Sequence, residues 1–150
     1  MSNDPRSAWA ALAGVCLFVA GATITKADAP PGRYVVEGGT VFDTKTQLTW
    51  QQEEAPGLYS FTDALLYCDG LNLGGASWRL PTMKELQTLV DESQNAPAID
   101  GASLPNTSPA NFWTYTQYAQ GGNFVWSVSF LHGYSEPLTG AVPFHVRCVH

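Results

Sequence analysis

The sequence WRLPTMKEL, residues 78–86, decides the architecture in the middle of the chain. Thr82, followed three residues later by Glu85, forms the T-x-x-E pattern of a capping box, in which the two residues bond to each other's backbone at a helix start. Pro81 precedes the cap and ends the extended segment that carries Trp78. After the cap, apolar residues recur at helical spacing: Leu86, Leu89 and Val90. The stretch therefore predicts an extended segment followed directly by a helix.

A second helix is predicted on the N-terminal side of this stretch. Ser60 is a suitable cap, and Asp63 stands three residues later in the place of a capping box. Gly70 ends the helix. One face of it carries the apolar residues Ala64, Leu65 and Cys68. Cys68 is therefore expected in the last turn, on the buried side.

Runs of β-branched and aromatic residues flank the two predicted helices. They predict strands at residues 33–37, 40–43, 47–51, 112–116, 123–130 and 144–149. In the fifth run the alternation places four apolar residues on one face: Phe124, Trp126, Val128 and Phe130. Residues 91–109 are rich in Ser, Asn, Pro, Ala and Gly and predict a long loop. The expected fold class is α+β, with two helices packed on antiparallel strands.

The first 29 residues differ in character from the rest. Arg6 precedes an apolar stretch at residues 8–22, and small-x-small sites occur at residues 20–22 and 27–29. This pattern is typical of a secretory signal peptide, and the stretch is short for a membrane span. We expect a signal peptide at residues 1–29 and one domain at residues 30–150. The protein is then secreted or periplasmic, or membrane-anchored if the signal is not cleaved.

Two cysteines remain once the predicted signal peptide is removed with Cys16. An even count in an oxidising compartment favours a disulfide between Cys68 and Cys148. Two buried free thiols are the alternative.

Composition limits the classes of partner. The chain is 45% hydrophobic, which is enough for a packed core, and its net charge is -6. Its basic residues are scattered, so no Lys/Arg run is available to neutralise a phosphate backbone. We therefore expect no nucleic-acid partner, and long-range attraction to a polyanionic glycan has the wrong sign.

Several separated motifs occur together in one order. They are F-D-x-x-T-x-L-x-W at residues 42–50, W-R-L-P-T-x-x-E-L at 78–86, F-W-T at 112–114 and V-R-C-V at 146–149. In this order the chain resembles the Lcl C-terminal domain family, over roughly residues 33–149. The W-R-L-P-T-x-x-E-L motif is the most specific of the set.

The resemblance implies a C-type-lectin-like fold, similar to that of sulfatase-modifying factors, with two helices and small antiparallel sheets. Members of the family are mostly exported bacterial proteins, and the name-giving member is an adhesin that binds sulfated glycans. The resemblance thus implies a secreted or surface binding module. It does not carry over the sulfated ligand, because this chain is acidic.

The motif residues are expected to be structural. Arg79, inside an apolar motif, is expected to be buried and paired with Glu85 or Asp43. Four tryptophans are expected in the core: Trp50, Trp78, Trp113 and Trp126. The structural set is Trp50, Trp78, Arg79, Pro81, Glu85, Trp113, Trp126 and Arg147.

Ligand-binding candidates lie away from the motif positions. By analogy with lectin-like folds, the loops of the last predicted sheet are the ligand face. Six polar or aromatic residues lie there: Tyr115, Tyr118, Asn123, His132, Tyr134 and Glu136.

No metal or cofactor is expected. Glu136-Pro137 is followed by Leu138 rather than by the Asn of calcium-dependent lectins, and the histidines lack zinc-ligand spacing. No G-x-S-x-G or H-E-x-x-H motif occurs. The leading hypothesis is an exported, non-enzymatic module that binds a glycan or a protein surface. The alternatives are a redox or sulfatase-modifying-type enzyme that uses Cys68 and Cys148, and a structural envelope module without a small ligand.

Overall fold

The computed structural model describes residues 30–150, so the predicted signal peptide and Cys16 lie outside the described residues. Between residues 30 and 150 no helix has the length and apolar character needed to cross a membrane. The elements are β1 (Tyr34–Glu37), β2 (Thr40–Asp43), β3 (Leu48–Gln51), α1 (Phe61–Asp69), α2 (Met83–Gln87), β4 (Asn111–Gln117), β5 (Phe124–Ser129) and β6 (Ser135–Thr139). The predicted α+β class, with two helices, small antiparallel sheets and one disulfide, is confirmed.

The first sheet is a three-stranded meander with the order β1-β2-β3. Gly38 and Gly39 form the two-residue turn between Glu37 and Thr40, with φ values of 57° and 82°. A tight hairpin turn favours positive φ at both central positions, which glycine adopts without strain. The next hairpin joins the predicted strands at residues 40–43 and 47–51 and places Val41 opposite Trp50, with both residues fully buried.

The second sheet, in the order β4-β5-β6, separates two apolar clusters. Phe112 and Trp113 are neighbours in β4 and are both fully buried, although successive side chains of a strand point to opposite faces. Phe112 belongs to a cluster with Trp50, Leu86, Leu89, Val128 and Phe130. Trp113 belongs to a cluster with Ala64, Cys68, Trp78, Val125, Val146 and Cys148.

Both predicted helix starts are confirmed. At α1, Ser60 Oγ accepts a hydrogen bond from the Asp63 N–H at 3.2 Å, and Gly70 is the C-cap. At α2 the capping box is complete, since Glu85 N donates to Thr82 Oγ1 at 3.3 Å and Thr82 N donates to Glu85 Oε2 at 2.8 Å. The capping pattern in the sequence therefore places both helices correctly.

The predicted disulfide is also confirmed. Cys68 in α1 is bonded to Cys148, with their Cα atoms 5.6 Å apart and both residues fully buried. The covalent link joins α1 to the segment that follows β6.

The predicted strand at residues 144–149 is wrong. This segment makes isolated bridges to several elements, with Phe144 opposite Tyr59 and Val149 opposite both Trp50 and Arg79. Within residues 30–150 it forms only isolated bridges and pairs with no single strand over consecutive residues. The third strand of the second sheet is instead β6, which the sequence analysis missed because Pro137 interrupts it and Ser135 and Glu136 have low strand propensity.

Tryptophan burial matches the prediction at three of four positions. Trp50, Trp78 and Trp113 are buried, whereas Trp126 is half-buried. The predicted apolar face of residues 123–130 therefore fails at its N-terminal end, where Phe124 is also exposed. The start of β5 extends beyond the cluster that covers Val128.

Candidate functional site

A cleft of about 430 Å³ opens between the start of α1 and the turn that joins β4 to β5. None of its lining residues is ionisable: Ser60, Phe61, Thr62, Gln117, Gly122, Asn123, Phe124, Val125, Gly140 and Ala141. The Phe124 side chain is 47% exposed. Within residues 30–150 the side chains of Thr62, Gln117 and Asn123 have no hydrogen-bond partner. The cleft thus combines an accessible aromatic ring with free amide and hydroxyl groups.

Backbone hydrogen bonds hold the walls of this cleft together. Phe61 N, at the start of α1, donates to Gly140 O at 3.0 Å, and Gly140 N donates to Asn123 O at 2.8 Å. A Cβ at Gly140 would lie 3.2 Å from Phe61 Cβ, so the glycine permits this close approach. Gly140 is therefore hydrogen-bonded both to the start of α1 and to the hairpin between β4 and β5, which together form the cleft.

The six predicted ligand-binding residues do not form one site. Asn123 lines the cleft, whereas Tyr115 lines a separate groove beside α1. The half-buried Tyr118 ring packs edge-on against Trp126, with centroids 5.6 Å apart. Glu136 Oε1 accepts a 2.9 Å hydrogen bond from Asn111 Nδ2.

Strand register separates the remaining candidates further. Trp126 pairs with Pro137, so Glu136, its neighbour in β6, points to the opposite face of the sheet. Tyr118 and Glu136 are therefore on different faces. His132 and Tyr134 are exposed at the turn between β5 and β6.

Sequence reasoning missed most of the cleft. The alternating pattern places Phe124 on an apolar strand face, and it singles out neither Gln117 nor Thr62. These residues come from three separate segments, and only the fold brings them together. The adjacent glycines at positions 121 and 122, each with positive φ, were the available signal for a turn beside the site.

Arg79 was expected to be buried and is half exposed, but it pairs with Glu85, one of its two predicted partners. Its side chain is 50% exposed, and its two terminal nitrogens donate to Glu85 at 2.9 and 2.8 Å. The alternative partner, Asp43, is buried and binds Arg33 through both carboxylate oxygens. Burial alone would raise the pKa of Asp43, but the hydrogen bonds from Arg33 and the Lys45 N–H outweigh it and hold that pKa below its ordinary value.

Arg147 is the fully buried cation of the described domain. Its guanidinium donates to Gln51 O, Gln52 O and Thr107 Oγ1. No carboxylate in the described part of the chain lies within ion-pair distance of it. Burial lowers its pKa to about 10. These contacts join the end of β3 and the loop after it, the long loop and the segment at residues 144–150.

Glu54 provides a second tie beside this arginine. It accepts hydrogen bonds from Ser108 N at 2.9 Å and Ser108 Oγ at 2.7 Å, and its Oε1 lies 3.2 Å from His145 Nδ1. Over residues 30–150, no group of three or more His, Cys, Asp or Glu residues is placed to hold a metal ion. The carboxylate of Glu54 is thus occupied by contacts that join two loops. The neutral cleft is the stronger candidate for ligand binding because most of its polar side chains are free within the described part of the chain.

Comparison with protein-family models gives a match. The family model described as the Lcl C-terminal domain matches residues 39–150, which is more than half of the chain. No curated protein matches. The matched region includes both helices, both predicted caps, the disulfide and the whole cleft.

Proposed function

Because the chain belongs to the Lcl C-terminal domain family, we propose that it is an exported binding module whose cleft at the start of α1 takes a neutral glycan. The observation that carries the proposal is the uncharged lining, in which the exposed Phe124 ring lies beside the free amides of Gln117 and Asn123. The family match itself names no ligand.

The chemistry of a sugar ring fits this lining. One face of the ring is apolar and stacks on an aromatic side chain, while its hydroxyls need donors and acceptors at the edge. Amides supply both kinds of group. A sulfated or acidic glycan would gain no ion pair from these residues, and the net charge of -6 would repel it. The neutral sugar is therefore the better fit.

Export is part of the proposal. The apolar stretch at residues 8–22 with the small-x-small sites after it supports a cleaved signal, and the disulfide suits an oxidising compartment. Cell fractionation and mass measurement of the mature N-terminus test this part. A full-length chain that starts at Met1 in the cytoplasm would reject it.

A non-enzymatic role is also proposed. Reactive cysteines lie in partly exposed, electropositive surroundings, whereas Cys68 and Cys148 are fully buried and bonded to each other. Thiol titration of the native protein under mild reductant tests this point. Rapid reduction of that bond, coupled to turnover of a substrate, would favour the redox alternative.

The binding site is tested by a glycan array followed by affinity measurements on variants. Phe124→Ala removes the exposed ring of the cleft, and we expect about tenfold weaker binding of a neutral glycan. Tyr134→Ala removes a ring of similar exposure, 48%, outside the cleft and should leave affinity unchanged. Loss of binding in the Tyr134 variant alone, or preference for sulfated glycans, would reject the cleft as the site.

A further inference from the structure

An apolar groove of about 340 Å³ lies between α1 and the extended segment before α2. It is lined by Leu65, Leu66, Asp69, Trp78, Arg79, Leu80 and Tyr115. Trp78 and Leu80 are buried and form the floor, whereas Leu66 and Tyr115 are 65% and 60% exposed. None of these residues lines the cleft at the start of α1. The groove is therefore a distinct surface with large apolar side chains held open to solvent.

The groove carries one uncompensated charge. The charge of Arg79 is neutralised by its two hydrogen bonds to Glu85. Asp69 has no hydrogen-bonded or ion-paired partner among residues 30–150. It is also the last residue of α1, where the helix dipole is negative, and the last turn contains no basic residue. The open end of the groove is consequently an unneutralised negative pole beside an apolar wall.

We propose that this groove docks a partner protein through an Arg or Lys side chain flanked by apolar residues. The cationic group meets Asp69, its aliphatic stem lies along Leu66 and Tyr115, and the flanking apolar side chain covers the floor at Leu80. Basic side chains bury their stems in this way while keeping the charge at an acidic edge. An Arg placed over the Tyr115 ring gains a cation–π contact as well.

The exposed walls of the groove, rather than its volume, favour a side chain over a whole small molecule. Sites that enclose a drug-sized ligand occupy roughly 300–1,000 Å³ and bury most of its surface. This groove, at about 340 Å³, is open along two exposed walls. Protein interfaces concentrate their binding energy in a few anchors that enter such pockets, among which Arg, Tyr and Trp are enriched. The groove thus matches a single basic anchor with one apolar neighbour.

Two capped tripeptides serve as probes in an NMR titration of the protein. One is acetyl-leucyl-arginyl-leucine amide, and the other replaces arginine with citrulline, which has nearly the same shape and no charge. Asp69→Asn removes the groove charge, and Glu37→Gln removes one charge from the exposed end of β1 as a matched control. Urea midpoints no lower than that of the wild type establish that both substitutions leave the fold intact, and Asp69→Asn should be slightly stabilising because it removes a negative charge from the helix C-terminus.

We expect the arginine peptide to shift the amide signals of residues 65–69, 78–80 and 115. Asp69→Asn should weaken its binding about two- to fivefold, the range for an exposed ion pair, and Glu37→Gln should not. The citrulline peptide should bind more weakly and should not distinguish the wild type from Asp69→Asn, so the double cycle isolates the charge pair.

Three results would overturn the proposal. Signal shifts at other residues, or no shifts, would reject the groove as the binding site. Equal affinity for the two peptides would reject a cationic partner. Equal losses of affinity in Asp69→Asn and Glu37→Gln would show that only the net charge of the protein matters. Concentration-dependent shifts of the same residues without peptide would assign the groove to a second copy of this chain. Glycan binding at the cleft involves other residues, so the two proposals fail independently.

Discussion

Arg147 Nη2 donates a 2.7 Å hydrogen bond to Thr107 Oγ1 in the protein interior, although 40 residues separate the two along the chain. With its contacts to the carbonyls of Gln51 and Gln52, one guanidinium serves acceptors from two loops. Removing a buried donor leaves its acceptors unsatisfied, which costs more than the bond itself contributed.

We expect Arg147→Met to lower the free energy of unfolding by about 3 kcal/mol or more, because two buried acceptors and one half-buried acceptor lose their donor. Arg147→Lys should restore only part of this, since an ammonium lacks the planar fork. Urea denaturation monitored by tryptophan fluorescence gives the values. Thr107→Val, which removes one acceptor of Arg147 and also the donor to Leu104 O, should cost about 2 kcal/mol. An Arg147→Met variant as stable as the wild type would show that these three hydrogen bonds do not stabilise the fold.

The lowered pKa of Glu85 predicts that the stability of the protein falls at acid pH. Hydrogen bonds from Arg79, and then from Thr82, lower its pKa from 4.5 to about 2 against the opposing effect of burial. Because the folded-state pKa lies below the unfolded one, this stabilisation is complete above pH 4.5 and is lost as the pH falls towards 2. Because Arg79 is half exposed, solvent screening limits the stabilisation from this ion pair to about 1 kcal/mol.

Glu85→Gln should therefore cost about 1 kcal/mol at pH 7, and its difference from the wild type should vanish near pH 2. Urea midpoints at a series of pH values measure the effect. Glu37→Gln, an exposed carboxylate outside this pair, should show no such convergence. A constant difference across the acid range would mean that the capping geometry, and not the charge of Glu85, is responsible.

Gly133 allows the turn between β5 and β6 to pack against Val90. Its φ is 82°, and a Cβ at this position would lie 2.7 Å from Val90 Cγ1. Gly133→Ala should destabilise the protein by about 2 kcal/mol, through both backbone strain and overpacking. Thermal unfolding measures the loss. Gly101→Ala, where nothing lies within 4 Å, should be neutral or slightly stabilising.

Reduction of the disulfide should have the largest effect. Cys68 and Cys148 are separated by 80 residues, and the chain-entropy model gives about 4 to 5 kcal/mol for a loop of that length. The measurement compares urea midpoints with and without reductant. A Cys68→Ala/Cys148→Ala variant should already be destabilised and should not respond further. An identical response of that variant to reductant would assign the effect elsewhere.

The helix starts could be predicted because capping is a local code. Ser60 and Thr82 act on backbone groups within three residues of themselves, so the sequence window contains all of the interaction. The predicted burial of Arg79 is wrong, although the sequence on either side of it indicates exposure. In an extended segment alternate residues point to opposite sides, and buried Trp78 and Leu80 on either side of Arg79 are the pattern for an outward arginine.

The rest depends on contacts distant in sequence. Residues 144–149 have strand-like composition, yet their hydrogen bonds go to several elements in turn and form no ladder. The cleft likewise arises where Gly140 meets both Phe61 and Asn123. Nothing in the local pattern of those three segments indicates that they meet, so the ligand candidates chosen from one strand region were dispersed over both faces of the second sheet.

The bridging segment at residues 144–150 also sets when the domain can close during synthesis. Its backbone bonds to Thr49, Gln51, Tyr59, Arg79 and Asn111 join elements that otherwise have few direct links, and Cys148 lies within it. A nascent chain on the ribosome can form its local hairpins and helices early, but the two cores remain open to water until this segment emerges. Truncation before residue 144 should therefore leave both cores exposed and the product prone to aggregation.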